Sequence, residues 1–357
     1  MWSARVLREE ANGLEVSSQP LSHVDPERLM SITWSFAQPL AIDSAIQSRV
    51  FDVLDSGRKT LAEISKETGA SVRGLAAVLN LLAHIHLLAK SADGYYSLTP
   101  ESAAFLVSGK PGYMGGLIHQ IAARLADSFL HLPEIMRTGK PVEGGGAETP
   151  EAAPFFEQLV ADIMPLAYPA ARTLAEVLGV SRATESVSVL DLASGSGVWG
   201  IALAQASPHV SVTAVDRPSV LTVTRRMAGQ YGVAHQFIDL AGDLFEVDFG
   251  KGHAAATLGN ILHMLGAEEN RALLKKTFHA LMPGGTIAIG EFLVNDDRSG
   301  PLVPLTFAIN MLLHTSKGNT YSFAEIRSWL EEAGFVNARL QPAPGPSPLV
   351  LADKPRK

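Results

Sequence analysis

Three aspartates follow successive predicted strands in the second half of the chain. Asp191 lies near the end of the run VSVLDLA, Asp216 ends VSVTAVD, and Asp243 comes shortly after HQFIDL. Ligands of open α/β sheets bind outside the carboxyl ends of the strands, so these side chains are placed to share one ligand. A lone Asp at such a position is commonly a turn or cap residue, and it is the repetition that favours a binding role.

A glycine-rich turn, Ala193-Ser-Gly195-Ser-Gly197, separates the first of these strands from a predicted helix. Gly195 and Gly197 let a ligand approach the backbone at a helix N-terminus. The run GSGVWG at 195–200 also matches the nicotinamide-dinucleotide fingerprint. However, Asp191 would place a carboxylate where a dinucleotide carries its pyrophosphate, and a cationic amino-acid moiety suits that position better. This feature favours S-adenosylmethionine (SAM) as the cofactor.

The other candidate cofactor residues follow the neighbouring strands. Asp216 lies about 25 residues after Asp191, a spacing that suits a contact with ribose hydroxyls in either cofactor. Asp243 could accept a hydrogen bond from an adenine amine while Leu244 packs on the ring. The candidate cofactor-binding set is therefore Asp191, Ala193, Gly195, Gly197, Asp216, Asp243, Leu244 and Gly259.

His263 follows the fourth strand, at the same edge of the predicted sheet. Transfer of a sulfonium methyl group to a hydroxyl needs a deprotonated acceptor held close to the methyl carbon. Histidine suits the role of base because its unperturbed pKa lies near neutrality. Glu291, after the fifth strand, could orient the imidazole and stabilise its protonated form. Each residue could instead be an ordinary cap.

The pattern of strands and helices from Val187 onward predicts an α/β domain, which would position these residues. Short apolar runs alternate with amphipathic helices, a pattern typical of βαβ units and a parallel sheet. After a helix at Phe323–Ala333, the runs VNARLQPA and SPLVLADK are joined by a short Pro/Gly turn. With no room for a helix between them, these two strands must pair antiparallel. This closing hairpin is the second feature that favours SAM over a dinucleotide.

The first half reads as a mainly helical, winged-helix-like domain. We predict a helix over Ala45–Leu54, a second helix opened by the capping box Thr60-Leu-Ala-Glu63, a third capped by Ser71, and a hairpin at Asp93-Gly94. DNA binding by a winged helix needs basic residues on the exposed face of the second helix of the motif, and the sequence places only Arg73 there. A packing or dimerising role is favoured.

These patterns divide the chain into four parts. We expect a loose arm at 1–25, the helical domain at 26–140, a Gly/Pro-rich linker at 141–154 and the SAM-binding domain at 155–357. The apolar run Leu302 to Leu313 is too short for a bilayer, and we interpret it as a buried helix.

Composition narrows the possible functions. The chain has no cysteine, which excludes disulfides and thiolate sites. His84 and His86 lie two residues apart, a spacing that places them on different faces of a helix and disfavours a metal pair. We expect no metal. The net charge of −7 disfavours nucleic acid as a partner. No membrane segment or export signal is visible, so we expect a cytoplasmic protein.

Six segments of the chain carry a resemblance to a known family: YYSLTPESAAFL, VLDLASGSG, AVDRPSVL, GDLFE, LLKKTFHALMPGGTIAIGE and MLLHTSKGNTYSFAEIRSWLEEAGF. Through them the chain resembles the plant-type and bacterial small-molecule O-methyltransferases, which include caffeate and antibiotic-tailoring enzymes. It implies a class I SAM-methyltransferase fold, a homodimer formed through the N-terminal domain, conversion of SAM to S-adenosylhomocysteine (SAH), and a small-molecule acceptor bound between the domains.

The same resemblance implies roles for particular residues. His263 takes the position of the general base, Glu291 that of one of two flanking acids, and Met164 and Met311 line the acceptor pocket. We expect Phe307 to shape that pocket as well.

Three positions depart from the family pattern. Ala193 replaces a glycine, Met264 replaces an aspartate, and Thr320 stands where the second acid is expected. The leading hypothesis is O-methylation of an aromatic or polyketide-like hydroxyl compound. Methylation of sulfur or carbon is an alternative, since a thiol has a lower pKa than an alcohol and is deprotonated by a weaker base. A SAM-binding member of the family without methyl transfer is another.

Overall fold

The computed structural model of the protein describes residues 25–141 and 153–356, except for the side chains of 124 and 153–156. The predicted N-terminal arm and the predicted linker lie almost entirely outside the described residues.

The helices and strands follow each other along the chain in two groups. The helices are α1 (Glu27–Trp34), α2 (Ala37–Gln47), α3 (Val50–Asp55), α4 (Leu61–Thr68), α5 (Val72–His84), α6 (Pro100–Phe105), α7 (Gly115–Gln120), α8 (Ala126–Ser128), α9 (Leu132–Thr138), α10 (Ala153–Asp162), α11 (Met164–Leu178), α12 (Val198–Ala206), α13 (Pro218–Gln230), α14 (Ala267–Ala280), α15 (Leu302–His314) and α16 (Phe323–Ala333). The strands are β1 (Lys59–Thr60), β2 (Leu88–Lys90), β3 (Tyr95–Leu98), β4 (Val187–Leu192), β5 (Val210–Asp216), β6 (Phe237–Ala241), β7 (His253–Gly259), β8 (Leu281–Gly290), β9 (Leu293–Val294), β10 (Tyr321–Ser322), β11 (Val336–Gln341) and β12 (Leu349–Asp353). A π-helical turn spans Ile121–Leu125, and 3₁₀ turns span Phe129–His131, Val180–Arg182, Ala234–Gln236 and Leu262–Met264.

The N-terminal group has the predicted helix-turn-helix and wing. The Thr60 hydroxyl accepts a hydrogen bond from the Glu63 amide, and the Glu63 carboxylate accepts one from the Thr60 amide, which confirms the capping box. The Ser71 hydroxyl caps α5 as predicted. The hairpin β2–β3 is also confirmed, and it gains a third strand because β1 pairs with β3.

The prediction of one continuous helix over Ala45–Leu54 is wrong. The backbone breaks after Gln47, and Arg49 adopts a left-handed conformation with φ 59°. The break lets Val50, Phe51 and Leu54 enter the domain core from a new helix axis. Apolar spacing alone does not reveal such a break, since α2 and α3 bury residues on both sides of it.

The C-terminal group is built on a seven-stranded sheet with the strand order β11-β12-β8-β7-β4-β5-β6. Strands β4 to β8 pair parallel with one another, whereas β12 pairs antiparallel with β8 and with β11. The prediction of a parallel sheet with a closing antiparallel hairpin is therefore confirmed. The parallel arrangement brings the carboxyl ends of β4 to β8 to one edge.

Apolar residues cover both faces of this sheet, as parallel strands require. One core cluster packs α11 and α12 on the sheet and includes Trp199 and Met164. The other packs α14 and α16 on the opposite face and includes Leu262 and Trp329. The two layers fix the strand ends from which the candidate site residues project.

The chain does not continue as one strand past the last parallel strand. Strand β8 ends at Gly290, and Leu293–Val294 form β9, which pairs with β10 in a separate two-stranded sheet. Glu291 therefore lies in the break, where its side chain is free to turn toward the edge.

The run Leu302 to Leu313 does form a helix, α15, but it is only partly buried. Leu302 is 79% exposed and Val303 is 55% exposed, whereas Met311 and Leu313 are buried. Along the described residues, no helix combines the length and apolar character needed to cross a bilayer.

Candidate active site

The turn between β4 and α12 has a backbone that favours glycine. Gly195 (φ 55°) and Gly197 (φ 76°) are both left-handed, and so is Ala193 (φ 51°). The amide of Gly197 donates to the Ser194 carbonyl oxygen over 2.7 Å, which closes the turn in front of the helix. Val160 of α10 lies over this turn, since a Cβ added at Gly195 would be 3.5 Å from its Cγ1.

Asp216, at the end of β5, is tied to the glycine turn. Its Oδ2 accepts a hydrogen bond from the Gly195 amide over 2.9 Å, and its Oδ1 accepts one from the Arg217 amide over 2.8 Å. Burial raises the pKa of the Asp216 carboxyl, and these two hydrogen bonds oppose the rise. The carboxylate keeps unused lone pairs for a ligand hydroxyl, because each oxygen can accept more than one hydrogen bond.

Asp191 lies beneath the turn. It is 0% exposed, and its Oδ1 accepts a hydrogen bond from the Thr257 hydroxyl over 2.6 Å while its Oδ2 accepts one from the Gly200 amide over 3.2 Å. Burial raises the pKa of this carboxyl to about 7, against the effect of both hydrogen bonds. Asp191 thus joins β4 to β7 and to the first turn of α12, and it supports the glycine turn from below.

Asp243 and Leu244 lie at the neighbouring strand end. Asp243 is exposed, and its Oδ1 accepts a hydrogen bond from the Phe245 amide over 2.7 Å. The Gly242 amide donates to the Asp216 carbonyl oxygen over 3.0 Å, which brings the segment after β6 next to the end of β5. Leu244 is half-buried against the core of the second face.

His263 and Glu291 form a buried pair at the ends of β7 and β8. The His263 Nδ1 lies 2.7 Å from the Glu291 Oε1, and the two side chains are 7% and 0% exposed. Because a carboxylate can only accept, Nδ1 carries the proton, and in the neutral imidazole Nε2 is left as a proton acceptor. The Glu291 Oε2 also accepts a hydrogen bond from the His263 amide over 3.3 Å.

The 3₁₀ turn that carries His263 is held from three sides. Asn260 starts it with a left-handed backbone (φ 55°), and its amide donates to the Gly290 carbonyl oxygen over 2.8 Å. The Asn270 Nδ2 donates to the Leu262 carbonyl oxygen over 3.0 Å. The Asn319 amide donates to the carbonyl oxygen of His263 itself over 2.9 Å.

Aromatic rings line one side of the imidazole. The Phe307 ring meets the His263 ring edge to face at a centroid distance of 4.8 Å, and the Phe292 ring lies 6.3 Å away. Phe307 belongs to α15, and Met311 lies one turn further along the same helix and is buried. The base therefore opens onto apolar and aromatic side chains.

Gly259 marks a close approach that the sequence did not reveal. A Cβ added there would lie 1.8 Å from the Trp199 Nε1, and one added at Gly290 would lie 2.5 Å from the Trp199 Cζ2. The indole therefore covers the last residues of β7 and β8 and is only 4% exposed. Both positions must be glycine for Trp199 to lie there.

The structure brings most of the predicted residues to one edge. The glycine turn, Asp191, Asp216 and the Asp243–Leu244 segment are linked by the hydrogen bonds above, and His263, Glu291 and Phe307 are in direct contact. Met164 instead packs in the core cluster of α11 and α12, where Trp199 also lies.

Three residues with clear roles at this edge were missed: Thr257, Asn270 and Trp199. Thr257 did leave a signal, because it is a polar residue in the middle of the apolar strand AAATLG. Asn270 could not be recognised from the sequence, since an Asn on an amphipathic helix is expected to face solvent. Trp199 is recognisable only once the strand ends that it covers are known.

Comparisons with protein families match both halves of the chain. Residues 153–336 match the model of an O-methyltransferase domain, and residues 30–108 match the model of an O-methyltransferase dimerisation domain. The first match alone covers more than half of the sequence.

Individual relatives agree over nearly full length. The chain is 29% identical to the tetracenomycin polyketide synthesis 8-O-methyl transferase TcmO of Streptomyces glaucescens, over 94% of this chain and 99% of the relative. It is 30% identical to the 3-hydroxy-5-methyl-1-naphthoate 3-O-methyltransferase of Streptomyces sahachiroi, over 90% of this chain and 93% of the relative.

A solved structure extends the likeness to three dimensions. PigF, an S-adenosyl-L-methionine-dependent methyl transferase of Serratia sp. (strain ATCC 39006), was solved with SAH. It superposes with a TM-score of 0.76 at 25% identity, over 93% of this chain and 100% of the other. The chain belongs to the family of SAM-dependent small-molecule O-methyltransferases.

Proposed function

We propose that this enzyme methylates a hydroxyl group of an aromatic, polyketide-like small molecule, with His263 as the general base. The observation that carries the proposal is the contact between the His263 Nδ1 and the Glu291 Oε1 at the carboxyl edge of the sheet. It leaves Nε2 as the proton acceptor of a buried imidazole held in one orientation.

The pair can move one proton during the reaction. As the acceptor oxygen forms its bond to the methyl carbon, the hydroxyl proton passes to Nε2, and the carbon–sulfur bond breaks to leave SAH. Glu291 stabilises the imidazolium that results, because its carboxylate already accepts from Nδ1. In a buried site this interaction is stronger than it would be in water.

The residues at the edge fit SAM as the cofactor. When bound, SAM supplies an electrophilic methyl group on a sulfonium, and carboxylates near the turn favour such a cation over a pyrophosphate. We assign the ribose hydroxyls to Asp216 and the adenine to Asp243 and Leu244. The amino-acid portion then lies along Ala193, Gly195, Gly197 and Gly259, with Asp191 beneath.

The acceptor side of the site is suited to a flat apolar ring system. Phe292 and Phe307 contact His263 or lie close to it, and Met311 extends the same surface. Aromatic ligands stack favourably on such rings. The two relatives above act, by their names, in polyketide synthesis and on a hydroxynaphthoate, and we extend that acceptor class to this chain. Met164 remains a proposed pocket residue.

We also propose a homodimer formed through the N-terminal domain at residues 26–140. Its first helix, α1, has no buried residue, and several large apolar side chains there are exposed. Leu29, Ile32, Trp34 and Phe36 are each 58–66% exposed. Exposed apolar groups of this size indicate an interface between chains.

An acceptor screen with methyl-labelled SAM tests the proposed reaction. Hydroxynaphthoates and hydroxylated polycyclic aromatics should yield a product that carries the label on oxygen, together with SAH. Thiols, and aromatics that have lost the hydroxyl, serve as the matched comparison and should give no product. Label found on sulfur or carbon, or SAH formation by none of the hydroxyl acceptors, would overturn the proposal.

A further inference from the structure

Trp199 is a buried residue with an unused hydrogen-bond donor. It is 4% exposed, and within the described part of the chain its Nε1 has no hydrogen-bond acceptor. Among the described residues, Nε1 of Trp199 is not one of the wholly buried side-chain atoms that lack a partner, so its N–H keeps access to the space beside it. A ligand that brings an acceptor into that space can therefore reach the N–H.

The position of the indole places that donor at the cofactor edge. The Nε1 lies over Gly259, at the end of β7, and Trp199 borders a small cavity with Ile163, Leu166 and Asn260. Trp199 is also in the first turn of α12, directly after the glycine turn. A helix N-terminus preceded by glycines attracts anions.

The order of the strands decides which part of SAM reaches this donor. Along the edge the order is β6, β5, β4 and β7. With adenine at Asp243 and ribose at Asp216, the rest of the cofactor must extend over β4 toward β7. The group at that end is the amino acid, which has an ammonium and a carboxylate.

We propose that the Trp199 Nε1 donates a hydrogen bond to the carboxylate of SAM, an inference that rests on the cofactor placement given above. An indole N–H can only donate, so it cannot pair with the ammonium. The carboxylate is the acceptor available at that end. Trp199 is thereby a cofactor-binding residue that the packing on Gly259 and Gly290 holds in place.

The test compares two ligands on two variants by calorimetry. Trp199→Phe keeps an aromatic ring over the glycines but removes the N–H. Trp329→Phe, in the core cluster on the other face of the sheet, is the matched control for the loss of a buried indole. The ligands are SAH and decarboxylated SAH, which differ only in the carboxylate.

The proposal predicts a selective loss. Trp199→Phe should bind SAH about tenfold or more weakly than the wild type, as expected for a hydrogen bond to a charged group, and should bind decarboxylated SAH with unchanged affinity. Trp329→Phe should bind both ligands like the wild type. Since the unchanged binding of decarboxylated SAH reports an intact site, it also shows that Trp199→Phe is folded.

Other outcomes would overturn it. If Trp199→Phe binds SAH as tightly as the wild type, or weakens both ligands equally, the indole contributes packing and not a hydrogen bond to the carboxylate. If the wild type itself binds neither SAH nor decarboxylated SAH, the proposed cofactor placement fails, and that result is distinct from a failure specific to Trp199.

Discussion

Glu291 contacts His263 twice, once through the ring and once through the backbone. Its Oε1 accepts from Nδ1 over 2.7 Å, and its Oε2 accepts from the His263 amide over 3.3 Å. The Phe292 amide also donates to Oε1 over 2.9 Å. One fully buried carboxylate thus sets both the position of the turn and the orientation of the imidazole.

Replacing Glu291 by Gln should therefore slow methyl transfer without weakening cofactor binding. Three donors point at this carboxylate, and a carboxamide offers one oxygen and one NH₂, so at least one donor loses its acceptor. We expect kcat to fall by about 10²–10⁴, with SAH affinity unchanged by calorimetry. Glu332→Gln, at an exposed pair with Arg271, is the control and should leave kcat as it is. A Glu291→Gln enzyme of normal kcat would refute this role.

Asp191 predicts a particular dependence of stability on pH. Its folded-state pKa of about 7 lies above the value of 3.8 for an unperturbed Asp. Between about pH 4 and pH 7 the unfolded carboxyl gives up its proton whereas the folded one keeps it, so stability falls as the pH rises and levels off above pH 7.

Asp191→Asn removes this titration. Relative to the variant, the free energy of unfolding of the wild type should decrease by on the order of 2–4 kcal/mol from pH 4 to pH 7. Urea unfolding at several pH values measures the difference. Parallel curves for the two proteins would show that the carboxyl of Asp191 does not keep its proton on folding.

Gly259→Ala and Gly229→Ala test the close approach of Trp199. A Cβ at 259 would lie 1.8 Å from the indole nitrogen, whereas a Cβ at 229, on α13, meets nothing within 4 Å. Gly259→Ala should lower the free energy of unfolding by about 1–3 kcal/mol and weaken SAH binding. Gly229→Ala should raise it by up to about 1 kcal/mol, because Ala favours a helix. A Gly259→Ala protein with wild-type stability and affinity would mean that the indole does not pack there.

Ala193→Gly should stabilise the protein. Ala193 has φ 51°, a conformation that costs an L-residue roughly 1–2 kcal/mol and glycine very little. Since glycine also makes the unfolded chain more flexible, the expected net gain is about 0.5–1 kcal/mol. Ala206 ends α12 and has no such strain, so Ala206→Gly should lower the free energy of unfolding by a similar amount. Thermal unfolding distinguishes the two, and a destabilised Ala193→Gly would contradict the strain at this turn.

Parts of the fold were predictable from the sequence where a short motif or the length of a connection left one structural solution. The capping box at Thr60–Glu63 is local, and the antiparallel pairing of β11 and β12 follows from a connection too short for a helix. The break at Arg49 was not predictable, because the apolar spacing continues through it while the backbone turns.

The candidate site shows the same division. The placement of the three aspartates and His263 at the carboxyl edge was predictable, because each lies at or shortly after the end of a recognisable strand. Asp191 was expected to face the ligand directly, yet its carboxylate is bonded to Thr257 and Gly200, partners that come together only when β7 and α12 pack on β4. The approach of Trp199 to Gly259 and Gly290 likewise depends on three separate segments of the chain.

The measurement that tests the central claim most directly is the turnover and SAH affinity of His263→Ala, with a hydroxylated aromatic acceptor. If His263 accepts the hydroxyl proton, kcat falls by about 10²–10⁴ while calorimetry gives an unchanged SAH affinity. Turnover equal to that of the wild type would show that His263 is not the base.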